Sequence, residues 1–258
     1  MAFSYKGAIT FGLVYIPITL TAAIKENNIG FNMLEKETLS RVKYKKTCID
    51  CNGREIAQHD IVKGYQYEKG QYVIFSDEDF EKIKTVKDKN ITIQKFVNLD
   101  EVDPVYFDRA FYVNPAGGER AYALLLSAME KENRAGVAKT VLCTRETLVL
   151  LHVHDGVMMA NTLFFHDEVR TLLKPTLDKI TIDKSEFDLA VSLINNMTKP
   201  FEPELFKDEY NERLRTAIEQ KIAGKEIEGP REEVVNNVIN IMEALKKSIE
   251  ISKRAVGK

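Results

Sequence analysis

Residues 41–79 read RVKYKKTCIDCNGREIAQHDIVKGYQYEKGQYVIFSDED, a stretch that contains the densest basic run and the only close pair of cysteines in the chain. From Arg41 to Arg54 it carries five cations and a single anion, Asp50. A concentration of like charge sets the local potential whatever the net charge of the whole protein. This segment therefore predicts contact with an anionic partner.

The start of the stretch alternates between charged and apolar residues. In an extended strand, alternate side chains point to one face, so Arg41, Lys43 and Lys45 would lie together. Residues on one face of a strand stand about 6.6 Å apart, a spacing suited to consecutive phosphates of a nucleic acid. Lys46 and Arg54 add further charge. We predict a basic strand at 41–46 that contacts phosphates; an ordinary exposed strand face would produce the same pattern.

Short strands are expected on both sides of this segment. Downstream, Tyr65–Tyr67 and Tyr72–Phe75 are joined by a turn at Gly70, which is typical of a hairpin. Asp77 is expected to cap a short helix, because its first turn is acidic and its last turn basic. Upstream, Phe31–Leu34 is predicted as a strand, and Ala8–Leu20 as one bent strand interrupted by Pro17.

The middle of the chain continues this pattern of strands with one helix. Tyr122, Leu125, Leu126 and Met129 recur at helical spacing, so 119–133 is predicted as an amphipathic helix. Five further strands are expected, the last two joined by a tight turn at Asp155-Gly156; they are Asn90–Asn98, Val105–Val113, Val137–Cys143, Leu148–His154 and Val157–Phe165. An antiparallel domain with many strands and few helices is better interpreted as a barrel than as an α/β sheet.

Five segments resemble the bacterial Ku proteins, and together they span essentially the whole chain. They are KGAITFGLVYIPITL (6–20), RVKYKKTCIDC (41–51), DIVKGYQYEKGQYVIFSDED (60–79), AYALLLSAMEKENRAGVAKTVL (121–142) and PELFKDEYNERLRTAIEQKIAGKEI (203–227). The resemblance implies an α+β fold: a mainly antiparallel β-barrel core with peripheral helices that dimerises into a ring, plus a small helical C-terminal region. It also implies a homodimer that threads onto double-stranded DNA ends and recruits an ATP-dependent DNA ligase in non-homologous end joining.

The resemblance extends the set of candidate DNA-binding residues. In Ku proteins the segment after the central helix contributes to the ring around DNA, which adds the cations near that helix, although solvated helix and strand ends would look the same. Lys6, in the opening segment, is included as well. The complete candidate set is Lys6, Arg41, Lys43, Lys45, Lys46, Arg54, Arg120, Arg134, Lys139 and Arg145.

Cys48 and Cys51 form half of a tetrahedral zinc site, because structural zinc takes four nitrogen or sulfur ligands. Either a partner subunit completes the site, or His59 contributes, or the thiols are free. No cofactor is expected to be required beyond this candidate structural zinc. His152 and His154 share one strand face, but without a third ligand nearby they are interpreted as packed or hydrogen-bonded residues.

Composition limits the possible functions. The chain has 258 residues, 44% of them hydrophobic, and a formal net charge of −2. The phosphate-binding, dinucleotide-binding and common hydrolase motifs are absent, so a non-enzymatic binder is favoured. A zinc- or thiol-dependent adaptor or enzyme centred on Cys48 and Cys51 is the alternative. No apolar run reaches the roughly 18 residues of a membrane helix, so a cytoplasmic protein with no membrane partner is expected. The resemblance to the bacterial Ku proteins implies, in addition, association with the nucleoid.

The C-terminal part changes to helical periodicity. Helices are predicted from Ser185 to a stop at Pro200, over Leu205–Ile222 with an end at Gly224, and over 231–252. Residues 186–233 carry seven cations and twelve anions, whereas residues 246–258 carry five cations and one anion. Phe201 stands where Ku proteins often have Trp, and its hydrophobic role is expected to survive. We predict a barrel core with DNA-encircling and dimerisation segments at 1–184, and a ligase-interacting helical region with a short basic tail at 185–258.

Overall fold

The computed structural model describes residues 4–83, 90–142, 145–173, 175, 181–227, 245 and 249. The chain divides into two compact units, residues 1–171 and 172–258. The described strands, in chain order, are β1 Ser4–Phe11, β2 Val14–Ala22, β3 Lys63–Glu68, β4 Gln71–Phe75, β5 Asn90–Asn98, β6 Phe107–Pro115, β7 Arg134–Leu142, β8 Arg145–His154 and β9 Val157–Leu163. The described α-helices are α1 Asp77–Ile83, α2 Glu119–Lys131, α3 Lys184–Met197 and α4 Glu209–Ile222. Among the described residues, no helix is long and apolar enough to cross a membrane.

Seven strands of the first unit close into a barrel in the order β1-β2-β6-β9-β8-β7-β5. Neighbouring strands are antiparallel except for β1 and β5, which pair in parallel and close the barrel where Ile9 faces Ile91. Strands β3 and β4 form a separate two-stranded sheet. The prediction of a mainly antiparallel barrel with peripheral helices is confirmed.

Alternate side chains of the strands point inward and fill the barrel. In β2, Ile16, Ile18 and Leu20 are buried while their neighbours are more exposed. Helix α2 packs against the barrel through buried Leu125 and Met129. Each such apolar side chain stabilises the fold by roughly 1.5–3 kcal/mol relative to leaving it exposed. The core therefore lies within the barrel and under α2, whose apolar face the helical spacing predicted.

The N-terminal segment differs from prediction. Residues 8–20 form two strands, β1 and β2, rather than one bent strand, and Gly12 lies in the turn with a φ of 55°. That left-handed conformation is easily adopted by glycine, which has no Cβ. The reversal lets β1 pair with β2 along its whole length. This pairing forms hydrogen bonds to backbone N–H and C=O groups that one bent strand would leave without a partner.

The predicted strands at 31–34 and 41–46 are also wrong. Leu34 and Arg41 make an isolated bridge, and residues 42–46 run outside any strand. Val42 N–H donates to the carbonyl of Met33, and the carbonyl of Lys46 accepts from Ile56 N–H. Strand propensity cannot produce a ladder where no neighbouring strand is aligned over several residues.

The hairpin β3–β4 and helix α1 follow the predicted positions, with Gly70 in the turn at a φ of 82°. The capping residue is Ser76 and not Asp77. The Oγ of Ser76 accepts from Asp79 N–H at 3.2 Å, and Ser76 N–H donates to the Asp79 carboxylate at 3.0 Å. A reciprocal pair of this kind satisfies two backbone donors at a helix start.

The remaining strand predictions are confirmed with shifted ends. A 3₁₀ turn at Pro104–Tyr106 delays β6, and β7 begins at Arg134. The Asp155-Gly156 turn has positive φ at both residues, 49° and 71°, as a tight hairpin with these residues should. Cys143 lies outside the described residues.

The second unit contains α3 and α4. Asp183 caps α3 by accepting from Ser185 N–H, and α4 starts at Glu209, later than predicted, because Asp208 caps it by accepting from Asn211 N–H. Helix α4 ends before Gly224, as predicted, where φ is 70°. The predicted final helix at 231–252 lies outside the described residues except for 245 and 249.

Candidate nucleic-acid interface

A turn organised by Glu35 precedes the basic residues 41–54. The Glu35 carboxylate accepts hydrogen bonds from the backbone N–H groups of Glu37 and Thr38 and from the Thr38 hydroxyl. These bonds hold the pKa of Glu35 below its usual range, the backbone bond from Glu37 contributing most. The turn returns the chain so that Arg41 pairs with Leu34.

Residues 46–56 then form a second hairpin, the cysteine hairpin. Thr47 and Glu55 form a bridge, and Ile56 N–H donates to the Lys46 carbonyl at 2.9 Å. At its tip Asn52 and Gly53 have left-handed φ values of 51° and 73°. A chain reversal with two left-handed residues suits asparagine and glycine, which adopt that conformation most readily.

The hairpin engages two of the predicted phosphate-binding lysines. Lys45 Nζ lies 2.6 Å from the Glu55 carboxylate, and Lys46 Nζ donates to the Gln58 side-chain oxygen at 2.7 Å. Both groups of the ion pair are well exposed, and such pairs contribute only about 0–1 kcal/mol. Lys45 can therefore exchange this carboxylate for a phosphate at small cost.

The other cations of the segment make no such contact with the residues that the structure describes. Arg41, Lys43 and Arg54 are exposed and form no side-chain ion pair or hydrogen bond with any residue in the described ranges. With Lys45 and Lys46 they make a continuous cationic region, the basic segment, of residues 41–54. The structure thus keeps the charge concentration that the sequence indicated, on an extended hairpin rather than on a strand of a sheet.

The second set of cations does not form one patch. Arg134 starts β7 opposite Asn98, to whose side-chain oxygen it donates, whereas Arg145 faces Leu142 at the other end of β7. Eight residues of strand separate these ends by about 26 Å. The other three cations are exposed: Lys6 on β1, Lys139 on β7 and Arg120 in the first turn of α2. Lys139 is paired with Glu146 at 2.6 Å. DNA contact by these residues stays a prediction.

A cleft of about 670 Å³ lies beside the ends of β6 and β8. Arg109 and Arg145 line it, together with four acidic residues: Glu26, Asp108, Glu146 and Glu168. Asp108 is 3.8 Å from Arg109 and also accepts a hydrogen bond from Thr162. Because acidic groups offset the two arginines, this cleft is not a specific phosphate site.

Cys48 and Cys51 are free thiols at the hairpin tip. A hydrogen bond with the Cys48 thiol raises the pKa of the Cys51 thiol. No group of three or more His, Cys, Asp or Glu residues that could hold a metal occurs in the part of the chain the structure describes. His59 therefore does not complete the site, and its ring nitrogen lies 3.5 Å from the carboxylate of Asp60.

The two strand histidines are engaged elsewhere. His152 Nε2 lies 2.8 Å from the side-chain oxygen of Asn161, and exposed His154 lies 3.7 Å from the Asp155 carboxylate. The contact of His152 agrees with its interpretation as a packed or hydrogen-bonded residue. The distance from His154 to Asp155 is too long for a hydrogen bond, so exposed His154 does not fit that interpretation.

Sequence reasoning assigned no binding role to several exposed aromatic residues. In the hairpin β3–β4, Tyr65, Tyr67 and Tyr72 are exposed. In the second unit, Phe201 and Phe206 stack with ring centroids 5.7 Å apart although both are exposed. The signal that could have marked the tyrosines is their period of two in KGYQYE, since an isolated hairpin has no core on which to bury that face.

The family model for the Ku70/Ku80 beta-barrel domain matches residues 10–189, more than two thirds of the chain. This chain belongs to the Ku family. The match begins within β1, takes in the rest of the barrel and ends in α3. The barrel described above is therefore the Ku barrel.

Curated Ku relatives resemble the chain almost from end to end. The "Non-homologous end joining protein Ku" of Lachnoclostridium phytofermentans is 44% identical, over 96% of both chains. The protein of the same name from Heliobacterium modesticaldum is 40% identical over 95% of this chain and 90% of its own length. That of Bacillus subtilis is 35% identical over 97% of this chain and 82% of its own length. These matches give no support to the alternative of a zinc- or thiol-dependent adaptor or enzyme.

Proposed function

We propose that this chain binds the ends of double-stranded DNA, without regard to sequence, in non-homologous end joining. The observation that carries the proposal is the 44% identity, over 96% of the chain, to a relative named as an end-joining Ku protein. The chain acts as a binding protein on the bacterial chromosome and not as an enzyme.

The basic segment supports binding to the DNA backbone. Its side chains are exposed, and Arg41, Lys43 and Arg54 have no acidic partner within the described residues. Cations that meet phosphates release counterions, and this contribution does not depend on base sequence. Phosphate contacts fix position without reading bases, which suits a protein that must accept any broken end.

The hairpin β3–β4 supports assembly into a homodimer. A two-stranded hairpin alone is marginally stable in water, and here all of β3 and most of β4 are exposed. Its exposed large side chains include Tyr65, Tyr67, Tyr72 and Ile74. A second copy of the chain would cover these side chains, and two copies would enclose the duplex as a ring.

The second unit supports recruitment of an ATP-dependent DNA ligase. Phe201 and Phe206 stack on one another in an exposed position, with Leu205 exposed between them. Exposed aromatic residues are the side chains that most often dominate the energy of a protein interface. The surrounding sequence is acidic, with Glu202, Glu204 and Asp208, which disfavours DNA as the ligand of this surface.

The proposal is tested by comparing linear duplex with relaxed, covalently closed circles of the same length. A ring loads only from an end, so linear DNA should bind far more tightly, and protein on a duplex whose ends are then ligated should stay bound when salt is raised. A basic surface alone would bind both forms with similar affinity per site. Equal binding, or escape from the closed product at high salt, would overturn the ring.

A further inference from the structure

The cleft beside the ends of β6 and β8 contains a strand edge without a neighbour. Where β2 ends, Ala23 N–H donates to the Ala110 carbonyl of β6 at 3.0 Å. Strand β6 begins three residues earlier, at Phe107, whereas residues 24–26 run outside any strand. Within the described ranges, residues 107–109 therefore have no strand beside them on the side of β2. An unpaired strand edge of this kind is a template for a further strand.

Thr162 of β9 holds this edge in a fixed shape. The pairing of β6 with β9 shifts register between Phe107 and Ala110, which marks a bulge. Arg109 N–H donates to the Thr162 hydroxyl oxygen at 3.0 Å, and that hydroxyl donates to the Asp108 carboxylate at 3.1 Å. Bulges re-orient side chains and are common beside functional sites. The two bulged residues are thus held in place before any ligand binds.

The cleft also offers apolar surface. Its volume of about 670 Å³ lies within the range of about 300–1,000 Å³ that is typical of ligand pockets. Ile24 and Phe164 line the cleft and are exposed, and Leu142 lines it as well. Apolar side chains that surround a concave surface with a few polar groups are typical of a binding site. The cleft therefore has room to bury apolar side chains of a ligand.

The charges of the cleft favour a basic ligand. Four acidic residues and two arginines line it, and of these Asp108 and Arg109 lie 3.8 Å apart and partly offset each other. Lys139 offsets Glu146 from outside the cleft at 2.6 Å, which still leaves an excess of negative charge. Glu26 makes no side-chain ion pair or hydrogen bond with any residue that the structure describes. A carboxylate without a partner, in a cleft with excess negative charge, complements a cation of the ligand.

We propose that this cleft binds an extended, basic peptide segment of another protein by strand addition. The segment pairs with residues 107–109 of β6, places an apolar side chain against Phe164 and Leu142, and directs a lysine or arginine toward Glu26. In this mode the backbone hydrogen bonds supply affinity, and the contacts of alternate side chains supply specificity. The site uses no residue of the basic segment, so the inference does not rest on DNA binding.

Selection of a phage-displayed library of random twelve-residue peptides on the full-length protein tests the site. Enriched sequences should alternate apolar residues with lysine or arginine. The strongest of them, synthesised with a fluorescent label, should bind Glu26→Arg at least about tenfold more weakly, because like charges then face each other. Glu26 is exposed, so this substitution leaves the fold intact. Glu132→Arg, the same charge reversal before the other end of β7, should leave the affinity unchanged.

Methylation of the peptide backbone tests strand addition itself. Only alternate N–H groups of an added strand face the neighbouring strand. N-methylation of one alternate set of peptide residues should therefore abolish binding, whereas N-methylation of the other set should spare it. A peptide held by its side chains alone would respond similarly to both.

Several results would overturn the inference. Failure to enrich any sequence, enriched sequences without basic residues, unchanged affinity for Glu26→Arg, or equal effects of the two methylated sets would each do so. Displacement of the peptide by duplex DNA would assign the cleft to DNA instead. Binding to the monomer only, measured by sedimentation, would assign the cleft to a second copy of this chain, and would also refute the proposal.

Discussion

Lys45 and Glu55 face each other across the cysteine hairpin, with 2.6 Å between the lysine Nζ and a carboxylate oxygen. Among the described residues, Glu55 is the acidic side chain that pairs with a lysine of the basic segment. Any phosphate that binds Lys45 must compete with this carboxylate. Glu55 is therefore expected to weaken DNA binding rather than to support it.

Glu55→Gln is predicted to tighten binding to duplex DNA. Loss of the carboxylate frees Lys45 and removes repulsion of phosphate, a gain of up to about 1 kcal/mol, or roughly fivefold, at low salt. Fluorescence anisotropy with a labelled open-ended duplex measures the change. Glu219→Gln, which removes the same charge from α4 in the second unit, should leave the affinity unchanged. Equal effects of the two substitutions would contradict a local role for Glu55.

Alanine substitutions of Arg41, Lys43, Lys45 and Lys46 are predicted to weaken binding to all duplex sequences alike. Each lost phosphate contact should flatten the slope of log affinity against log salt by about one unit. Lys82→Ala is the matched control, because Lys82 belongs to α1 and lies 3.8 Å from Asp79. Unchanged slopes for all four variants would move the phosphate contacts to another part of the chain.

Phe201→Ala with Phe206→Ala is predicted to impair stimulation of the cognate ligase. Truncation of a hot-spot aromatic residue costs about 2 kcal/mol or more, so ligase affinity should fall by at least about thirtyfold. Ile222→Ala, an equally exposed residue at the end of α4, is the control. Affinity for DNA ends should not change, since the substitutions leave the basic segment intact. Normal stimulation by the double variant would place the ligase site elsewhere.

Leu125→Ala is predicted to destabilise the protein by about 2–5 kcal/mol, because it leaves a cavity under α2. Leu124→Ala is the matched control at the next position. Leu125 is 6% exposed and Leu124 is 72% exposed, so only the first substitution empties space in the core. Urea denaturation followed by circular dichroism measures both free energies of unfolding. Similar losses would contradict the orientation of α2.

Ser76→Ala is predicted to raise the pKa of Asp79 toward the ordinary value of 3.8. The hydroxyl and backbone N–H of Ser76 lower the pKa of Asp79 by donating to its carboxylate. Because the folded pKa lies below the unfolded one, the contribution of this carboxylate to stability is present above the unfolded pKa and is lost as the pH falls through the folded pKa. Carbon-13 NMR titration of the Asp79 carboxyl measures the shift, with Ser127→Ala in α2 as the control. An unshifted pKa in the Ser76 variant would show that the hydroxyl contributes nothing.

Elements that depend on nearby residues were predictable from the sequence. The runs Tyr65–Tyr67 and Tyr72–Phe75 indicated the hairpin β3–β4, and the helical spacing of Leu125 and Met129 indicated α2. The turn at Asp155-Gly156 follows from two residues that tolerate positive φ. The concentration of charge in the basic segment is likewise a property of composition, and it survives in the structure.

Elements that depend on a distant partner were decided only by the tertiary structure. Residues 41–46 have a strand-like pattern but no aligned neighbour, so they form no strand. Arg134 and Arg145 are close in sequence, yet Arg134 lies at the start of β7 and Arg145 lies beside the end of β7. The sequence determined most of the turns, hairpins and helices, the barrel class and where charge and thiols concentrate, because backbone preference and side-chain period act over a few residues. The tertiary structure decided the parallel closure of β1 on β5, the Lys45–Glu55 pair and the exclusion of His59 from the thiol pair, because these depend on which chain segments meet in space.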